Sequence, residues 1–270
     1  MSVIVADIGA SNARFAVLQN GKMSDIYQFA CDDFNTPEAM IAAFKNMYAP
    51  KAAALIVGVA GIVLHKKVSW TNRSWQLTEN RLKKNLGFKK VILKNDVEVQ
   101  CMAVPRLKAK DYYVLQKGQT MPGPKVLLSL GTGVGAAYYL NQMSFAMEYG
   151  QTLTEKGSPL EKMLAHLPAK MDSVFAQKHK RQGDTSCQKF YQNLAYIVKN
   201  LVLTLKSSEG IYLYGRMLDV PTLKRVRFIQ QFLEHPTMGS FLKTVPIYVI
   251  KRDNLAFVGF KELAKKYDLS

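Results

Sequence analysis

Hydrophobic and polar positions along the chain follow two periods. Apolar runs of strand length occupy Val3–Ile8, Arg14–Leu18, Ala53–Val59, Val91–Lys94, Val126–Leu130, Gly135–Leu140, Gly210–Tyr214 and Pro246–Ile250, each bounded by turn residues or charges. Helical spacing lies between them. In "NTPEAMIAAFKNMY", Asn35 or Thr36 stands at the N-cap, Pro37 in the first turn and Glu38 near the positive end of the helix dipole. From Cys187 to Lys206, the residues Phe190, Leu194, Ile197, Val198, Leu201, Val202 and Leu205 fall on one stripe, as in a helix laid on a sheet. Strands alternating with helices predict an α/β fold. No tandem repeat is visible. The segments "KGQTMPGP" (117–124) and "KHKRQGDTS" (178–186) read as the flexible connections.

Two of the strand runs are the first arms of hairpins. "SVIVADIGASNARFAVL" (2–18) runs apolar to Asp7, turns through small residues and runs apolar again. "VLLSLGTGVGAAYYL" (126–140) repeats the device with a Gly/Thr turn, as expected of a protein built from two similar halves. Such turns expose backbone N–H groups, and glycine lets a phosphate approach them. Neither turn has the lysine of a P-loop or the glycine spacing of a dinucleotide fingerprint, so a plain hairpin and a phosphate cradle both remain open. A third motif, "VILKNDVEVQCMAVPRL" (91–107), puts Asn95 and Asp96 at a strand-to-helix junction. Ligands of α/β sheets bind at such strand ends. Either residue there could serve as an N-cap. The other reading makes the acid a general base for a substrate hydroxyl.

Composition narrows the picture. The 270 residues are 48% hydrophobic, enough for real cores, and carry a net charge of +17. The excess is spread over both halves. Its densest stretch, "KHKRQ" at 178–182, has no interleaved aromatics, so a concentrated nucleic-acid footprint is not expected. A diffuse positive field fits a solvated surface and anionic small molecules such as nucleotides. No run approaches the roughly 20 apolar residues of a membrane span, and the opening strand does not read as a signal peptide. Three scattered cysteines, Cys31, Cys101 and Cys187, fit reduced thiols and a cytoplasmic setting. His65, His166, His179 and His235 form no metal-ligand spacing. Trp70 and Trp75 flank "TNRS" and read as packing residues, and the lysines at 83, 84, 89 and 90 as a solvated face.

The motifs together resemble the bacterial glucokinases of the hexokinase/actin-like ATPase superfamily. "ADIGASNARFAVL" resembles the first phosphate motif, and "VGVAGIV" with "WTNRSWQLT" the sugar-loop region. "NLGFKKVILKNDVEVQCMAVPRL" resembles the segment with the catalytic Asn-Asp, and "LSLGTGVGAA" the second phosphate motif. "EYGQ" (148–151) stands for a sugar-binding E-G-G-H, and "EGIYLYGRM" for the adenosine motif. The C-terminal "FLKTVPIYVIKRDNLAFVGFKELA" completes the order.

The resemblance implies a two-domain actin-like, ribonuclease H-like ATPase fold with a cleft between domains. Residues 1–104 with 254–270 would form a small domain and 105–253 a large one. It implies an ATP-dependent hexose kinase acting on glucose, with ATP and Mg²⁺ as cofactors. Asp7 would hold Mg²⁺ through water. Gly9, Ala10, Ser11 and Asn12 would form one phosphate turn, Gly131, Thr132 and Gly133 the other, and Gly215 would belong to the nucleotide site. Asp96 would take the proton of the sugar's 6-hydroxyl. Asn95, Asp96, Glu148, Gln151, Thr71 and Asn72 would contact the sugar. A homodimer is left open.

Departures from the family pattern keep a second function open, a non-catalytic sugar or nucleotide sensor. Ala10 and Ser11 replace Gly and Thr, Gln151 replaces His, and Arg216 replaces the second glycine of the adenosine motif. After Gln151 the chain lacks a longer segment that carries a further sugar-binding glutamate. Glu155 and Glu161 lie nearby but do not match it.

Overall fold

The computed structural model describes residues 2–70, 74–131, 133–164, 185–225 and 227–269. Thr71, Asn72, Thr132, His166, His179 and the basic stretch 178–182 lie outside them, as does all of the connection at 178–186 before Thr185. The chain divides into two compact units, Met1–Pro105 with Asn254–Ser270, and Arg106–Asp253.

The first unit is built on strands β1 (Ser2–Ile8), β2 (Asn12–Gln19), β3 (Lys22–Met23), β4 (Tyr27–Ala30), β5 (Ala54–Val59) and β9 (Lys90–Asn95). Their order is β3-β2-β1-β5-β9, with β4 also on β2. β1 and β2 are antiparallel; β1, β5 and β9 are parallel. Strand alternation sorts the side chains to two faces. Ile4, Ala6, Ile8, Phe15, Leu55 and Val57 join a core with Met40, Ile41 and Phe44 of helix α1 (Pro37–Tyr48). Thr36 caps that helix, accepting from the Ala39 N–H at 3.1 Å. A small sheet of β6 (Val63–Leu64), β7 (Lys67–Ser69) and β8 (Gln76–Thr78) leads into α2 (Glu79–Leu86), which Gly87 ends with φ 69°. Trp70 and Trp75 are buried and meet edge to face at 5.9 Å, a packing role.

The opposite face of this sheet carries α3 (Asp96–Cys101) and the C-terminal helix, Leu255–Lys266, here α8. Two glycines let these layers close. A Cβ on Gly58 of β5 would stand 3.2 Å from Val99 and 3.4 Å from Phe260. One on Gly259 would overlap the Val99 carbonyl oxygen, so the two helices cross backbone to backbone.

The second unit repeats the plan. Strands β10 (Tyr112–Gln116), β11 (Lys125–Leu130), β12 (Val134–Leu140), β13 (Met143–Met147), β14 (Ile211–Tyr214) and β15 (Ile247–Ile250) form a sheet ordered β10-β15-β14-β11-β12-β13. β11 and β12 are the antiparallel hairpin; β11, β14 and β15 are parallel. Helices α4 (Thr185–Leu205), α5 (Val220–Arg225), α6 (Phe228–Leu233) and α7 (Gly239–Thr244) follow. Phe190, Leu194, Ile197, Val198, Leu201 and Val202 of α4 are fully buried in the core with Val126, Leu128, Ile211 and Leu213. The connection 117–124, expected to be flexible, is held instead. Gln119 N–H donates to the Thr244 carbonyl and Met121 N–H to that of Ser208, at 2.8 and 3.2 Å. Gly118 passes so close to the Thr244 carbonyl that it has no room for a Cβ, and a Cβ on Gly123 would have to displace the Ser208 hydroxyl. No described helix is long and apolar enough to cross a membrane.

Candidate active site

In the first unit the candidate residues gather at the C-terminal ends of β1, β5 and β9. Asp7 is the next-to-last residue of β1, 8% exposed. The hairpin register sets it directly across from Arg14, whose guanidinium pairs with Asp7 Oδ2. Arg14 also donates to Asn254 Oδ1 at 2.9 Å and lies 5.8 Å from the centre of the Phe257 ring. Burial pushes the Asp7 carboxyl above its ordinary range, and the Arg14 charge and hydrogen bond pull it back. Asp7 Oδ1 has no hydrogen-bond partner among the described residues. The sequence contains Arg14 within the first motif but does not by itself disclose the pairing. Counting residues across the tight turn would have found it, since facing hairpin residues share one side of the sheet.

The turn after Asp7 closes with Gly9 N–H donating to the Asn12 carbonyl at 3.0 Å. The Cys31 N–H donates to the Ser11 carbonyl at 2.9 Å. Ala10 does not occupy the positive-φ region, so its methyl group imposes no backbone strain.

At the end of β9 the two readings of Asn-Asp separate. Asn95 is the N-cap of α3: its Oδ1 accepts from the N–H groups of Val97 and Glu98 at 2.9 and 3.2 Å. Its Nδ2 donates to the Gly61 carbonyl at 3.1 Å, fixing the loop after β5. Asp96, the first helical residue, is half-buried, and its Oδ1 also accepts from Val97 N–H at 2.9 Å. With Asn95 as the cap, the helix start does not depend on the Asp96 carboxylate.

In the second unit the candidates surround the turn between β11 and β12. Gly131 N–H donates to the Gly133 carbonyl at 3.0 Å, much as in the first hairpin. A Cβ on Gly131 would meet no described residue within 4 Å, so there is space beside that glycine. Glu148 and Gln151 are exposed; Glu148 precedes a 3₁₀ turn, Tyr149–Gln151, and Gln151 ends it. Gly150 presses that turn onto the start of β12, where a side chain would overlap the Val134 carbonyl oxygen. The Tyr149 hydroxyl donates to the Ile197 carbonyl at 3.3 Å, and burial raises its pKa to about 12, so it stays a proton donor. Gly215, with φ 148°, comes equally close to Leu130 on the other side. Neither glycine's reason is visible before the strands are paired.

Beyond Gln151 the chain forms a compact loop. Thr154 N–H donates to the Ser158 carbonyl at 2.9 Å, and Gly157 turns with φ 70°. Glu155 sits exposed in that turn. Among the described residues no group of three or more His, Cys, Asp or Glu side chains could hold a metal.

A family model supplies the comparison that decides the assignment. The glucokinase model matches residues 4–157 and 149–267, nearly the whole chain. The chain belongs to the glucokinase family. A curated glucokinase from Caulobacter sp. (strain K31) is 25% identical over 307 aligned positions, which cover 95% of this chain and 93% of that protein. Glucokinase from Balamuthia mandrillaris, solved in complex with glucose, superposes with a TM-score of 0.79 at 17% identity, covering 98% of this chain and 93% of that one. A ROK family glucokinase from Streptomyces griseus, solved with glucose and AMPPNP, gives 0.70 at 16% identity, with 98% and 100% covered. The glucokinase family's two-domain actin-like ATPase fold accounts for the repeated plan of the two units.

Proposed function

We propose that this protein transfers the γ-phosphoryl group of ATP to the 6-hydroxyl of glucose. The observation that carries the reading is the Asn95–Asp96 junction. The amide caps the helix, and the neighbouring carboxylate is fixed at its first turn. The family match supplies the reaction class.

Asp96 accepts the 6-hydroxyl proton as that oxygen bonds to the γ-phosphorus and the bond to the β–γ bridging oxygen breaks. ADP leaves with that electron pair. A positioned base of this kind contributes about 10²–10⁴-fold. Asn95, Glu148 and Gln151 orient sugar hydroxyls, with Thr71 and Asn72 assigned to the sugar loop by the family motif. The peptide N–H groups of the turns 9–12 and 131–133, apart from those of Gly9 and Gly131 that close the turns, receive phosphate oxygens.

Mg²⁺ fits the first unit. Asp7 offers one carboxylate whose Oδ1 is unpartnered among the described residues while Arg14 holds Oδ2. Magnesium commonly takes one or two carboxylates and keeps several waters and substrate phosphates. Asp7 would hold it through water, where it would offset charge on the phosphates. The departure at Ala10 strains nothing, which supports the enzyme over a non-catalytic sensor. The deciding experiment is a coupled ADP-release assay over a panel of hexoses. Glucose-dependent ADP formation that falls by about 10²–10⁴-fold in Asp96→Asn is expected. Absence of turnover with every hexose would reject the reading.

A further inference from the structure

Arg216 stands where the family pattern has glycine, and the structure gives it a setting. β14 runs parallel to β11, with Tyr214 beside Ser129. Continuing that register puts Gly215 beside Leu130, which its close approach to the Leu130 carbonyl oxygen bears out. One further step of the same register would set Arg216 beside Gly131, where β11 has ended and the turn begins. Adjacent strands lie about 4.8 Å apart, well within an arginine's reach.

The backbone that carries Arg216 is firmly held. The buried Tyr191 hydroxyl donates to the Met217 carbonyl at 2.7 Å and accepts from the Asp219 N–H at 3.3 Å. Leu218 N–H donates to the Gly215 carbonyl at 3.2 Å. Asp219, the carboxylate nearest in sequence, is engaged by the N–H and hydroxyl of Thr222. Arg216 itself is exposed and makes no hydrogen bond or ion pair to another described residue. A fixed anchor, a guanidinium with no partner among the described residues and a neighbouring turn with peptide N–H groups together form a setting for phosphate, which guanidinium binds through two parallel hydrogen bonds.

We infer that Arg216 binds the α- and β-phosphates of the nucleotide and does not stack on its base. The inference rests on the kinase reading above and adds to it a binding residue that the family pattern does not provide.

Calorimetric titration of the full chain with ADP, AMP and adenosine tests it, in wild type, Arg216→Ala and Arg216→Lys. Wild type should bind ADP. Arg216→Ala should weaken ADP by about 10-fold or more, the loss expected for a charged hydrogen bond. Adenosine affinity should stay within about twofold, because adenosine offers no phosphate to the guanidinium. Arg216→Lys should recover part of the ADP affinity, since a point charge replaces the fork. The melting temperature should not change, as the guanidinium supports nothing described in the chain. An unchanged ADP affinity in Arg216→Ala would overturn the assignment while leaving the kinase reading standing. An equal loss for ADP and adenosine would assign the arginine to the base. A wild type that binds no ADP would overturn both readings.

Discussion

The Val99 carbonyl oxygen occupies the place where a side chain on Gly259 would begin, and the Val99 carbonyl carbon lies 2.8 Å from that point. The contact is backbone against backbone, so no rotamer change can relieve an added methyl group. Gly259→Ala should therefore force α3 and α8 apart and cost about 1–3 kcal/mol by overpacking. Urea unfolding checks this. Because Asp96 begins α3, turnover should fall as well. A variant as stable as wild type would mean that the helices separate at no cost.

Asp96→Asn keeps the size of the side chain and one acceptor oxygen for the Val97 N–H, but the amide cannot take a proton. Glucose affinity should stay within a few-fold while kcat falls by about 10²–10⁴. Steady-state kinetics beside direct glucose titration separates the two effects. Near wild-type turnover would remove Asp96 from the role of base.

Arg14→Ala would leave the buried Asp7 carboxylate without its counter-ion. Breaking a buried pair costs about 3–5 kcal/mol, and the lower end applies here because the Arg14 side chain is 33% exposed. Adding Asp7→Asn to that variant should restore part of the loss, since the stranded charge disappears. A double-mutant cycle on chemical unfolding gives the coupling; additive effects would show that the two side chains stabilise independently.

Asp111 provides a pH-dependent test in the second unit. Its Oδ2 accepts from the Lys108 N–H at 2.9 Å and its Oδ1 from Arg252 at 3.2 Å. The Lys108 backbone hydrogen bond chiefly, with help from Arg252 and Lys110, holds the carboxyl below its ordinary 3.8 against the opposing effect of burial. A carboxyl whose pKa is lowered by folding stabilises the fold while ionised. That contribution is complete above the unfolded pKa and fades as pH falls from 3.8 through the lower folded value. Asp111→Asn should lower the melting temperature at neutral pH, and its gap to wild type should narrow only below about pH 4. A gap that does not change with pH would assign the loss to something other than the charge.

Much of this fold was legible because eight strands are apolar runs with polar boundaries, and because α4 presents one clean stripe. Seven described strands, β3, β4, β6, β7, β8, β10 and β13, carry no such run, and three of them share a further cause. β3, β7 and β13 each follow a two-residue turn with positive φ at both positions, at Asn20–Gly21, His65–Lys66 and Asn141–Gln142. Asn-Gly is a recognisable hairpin turn, but the other two pairs lack glycine and give no such signal. At the site, Asn95 was readable both as cap and as sugar ligand, and the cap is what the geometry displays. The tether from Asn95 to Gly61 spans 34 residues, and no local pattern announces it. The segment 117–124 looks like a loose connection by its glycines, but those glycines serve close approach to Thr244 and Ser208, a long-range relation with no local pattern.

The strand ends that lead into and out of the second hairpin's turn are met by Gly215 against Leu130 and by Gly150 against Val134. The close approach at these two strand ends is thus allowed by side chains that are missing. A constraint of that kind has no charge to titrate and no rotamer to lose. Side chains beside it, such as Arg216 and Gln151, could be exchanged without disturbing either close approach. Descent in this lineage should accordingly be easier to trace by the spacing of Gly131, Gly150 and Gly215 than by overall identity, which is only 25% to the Caulobacter protein.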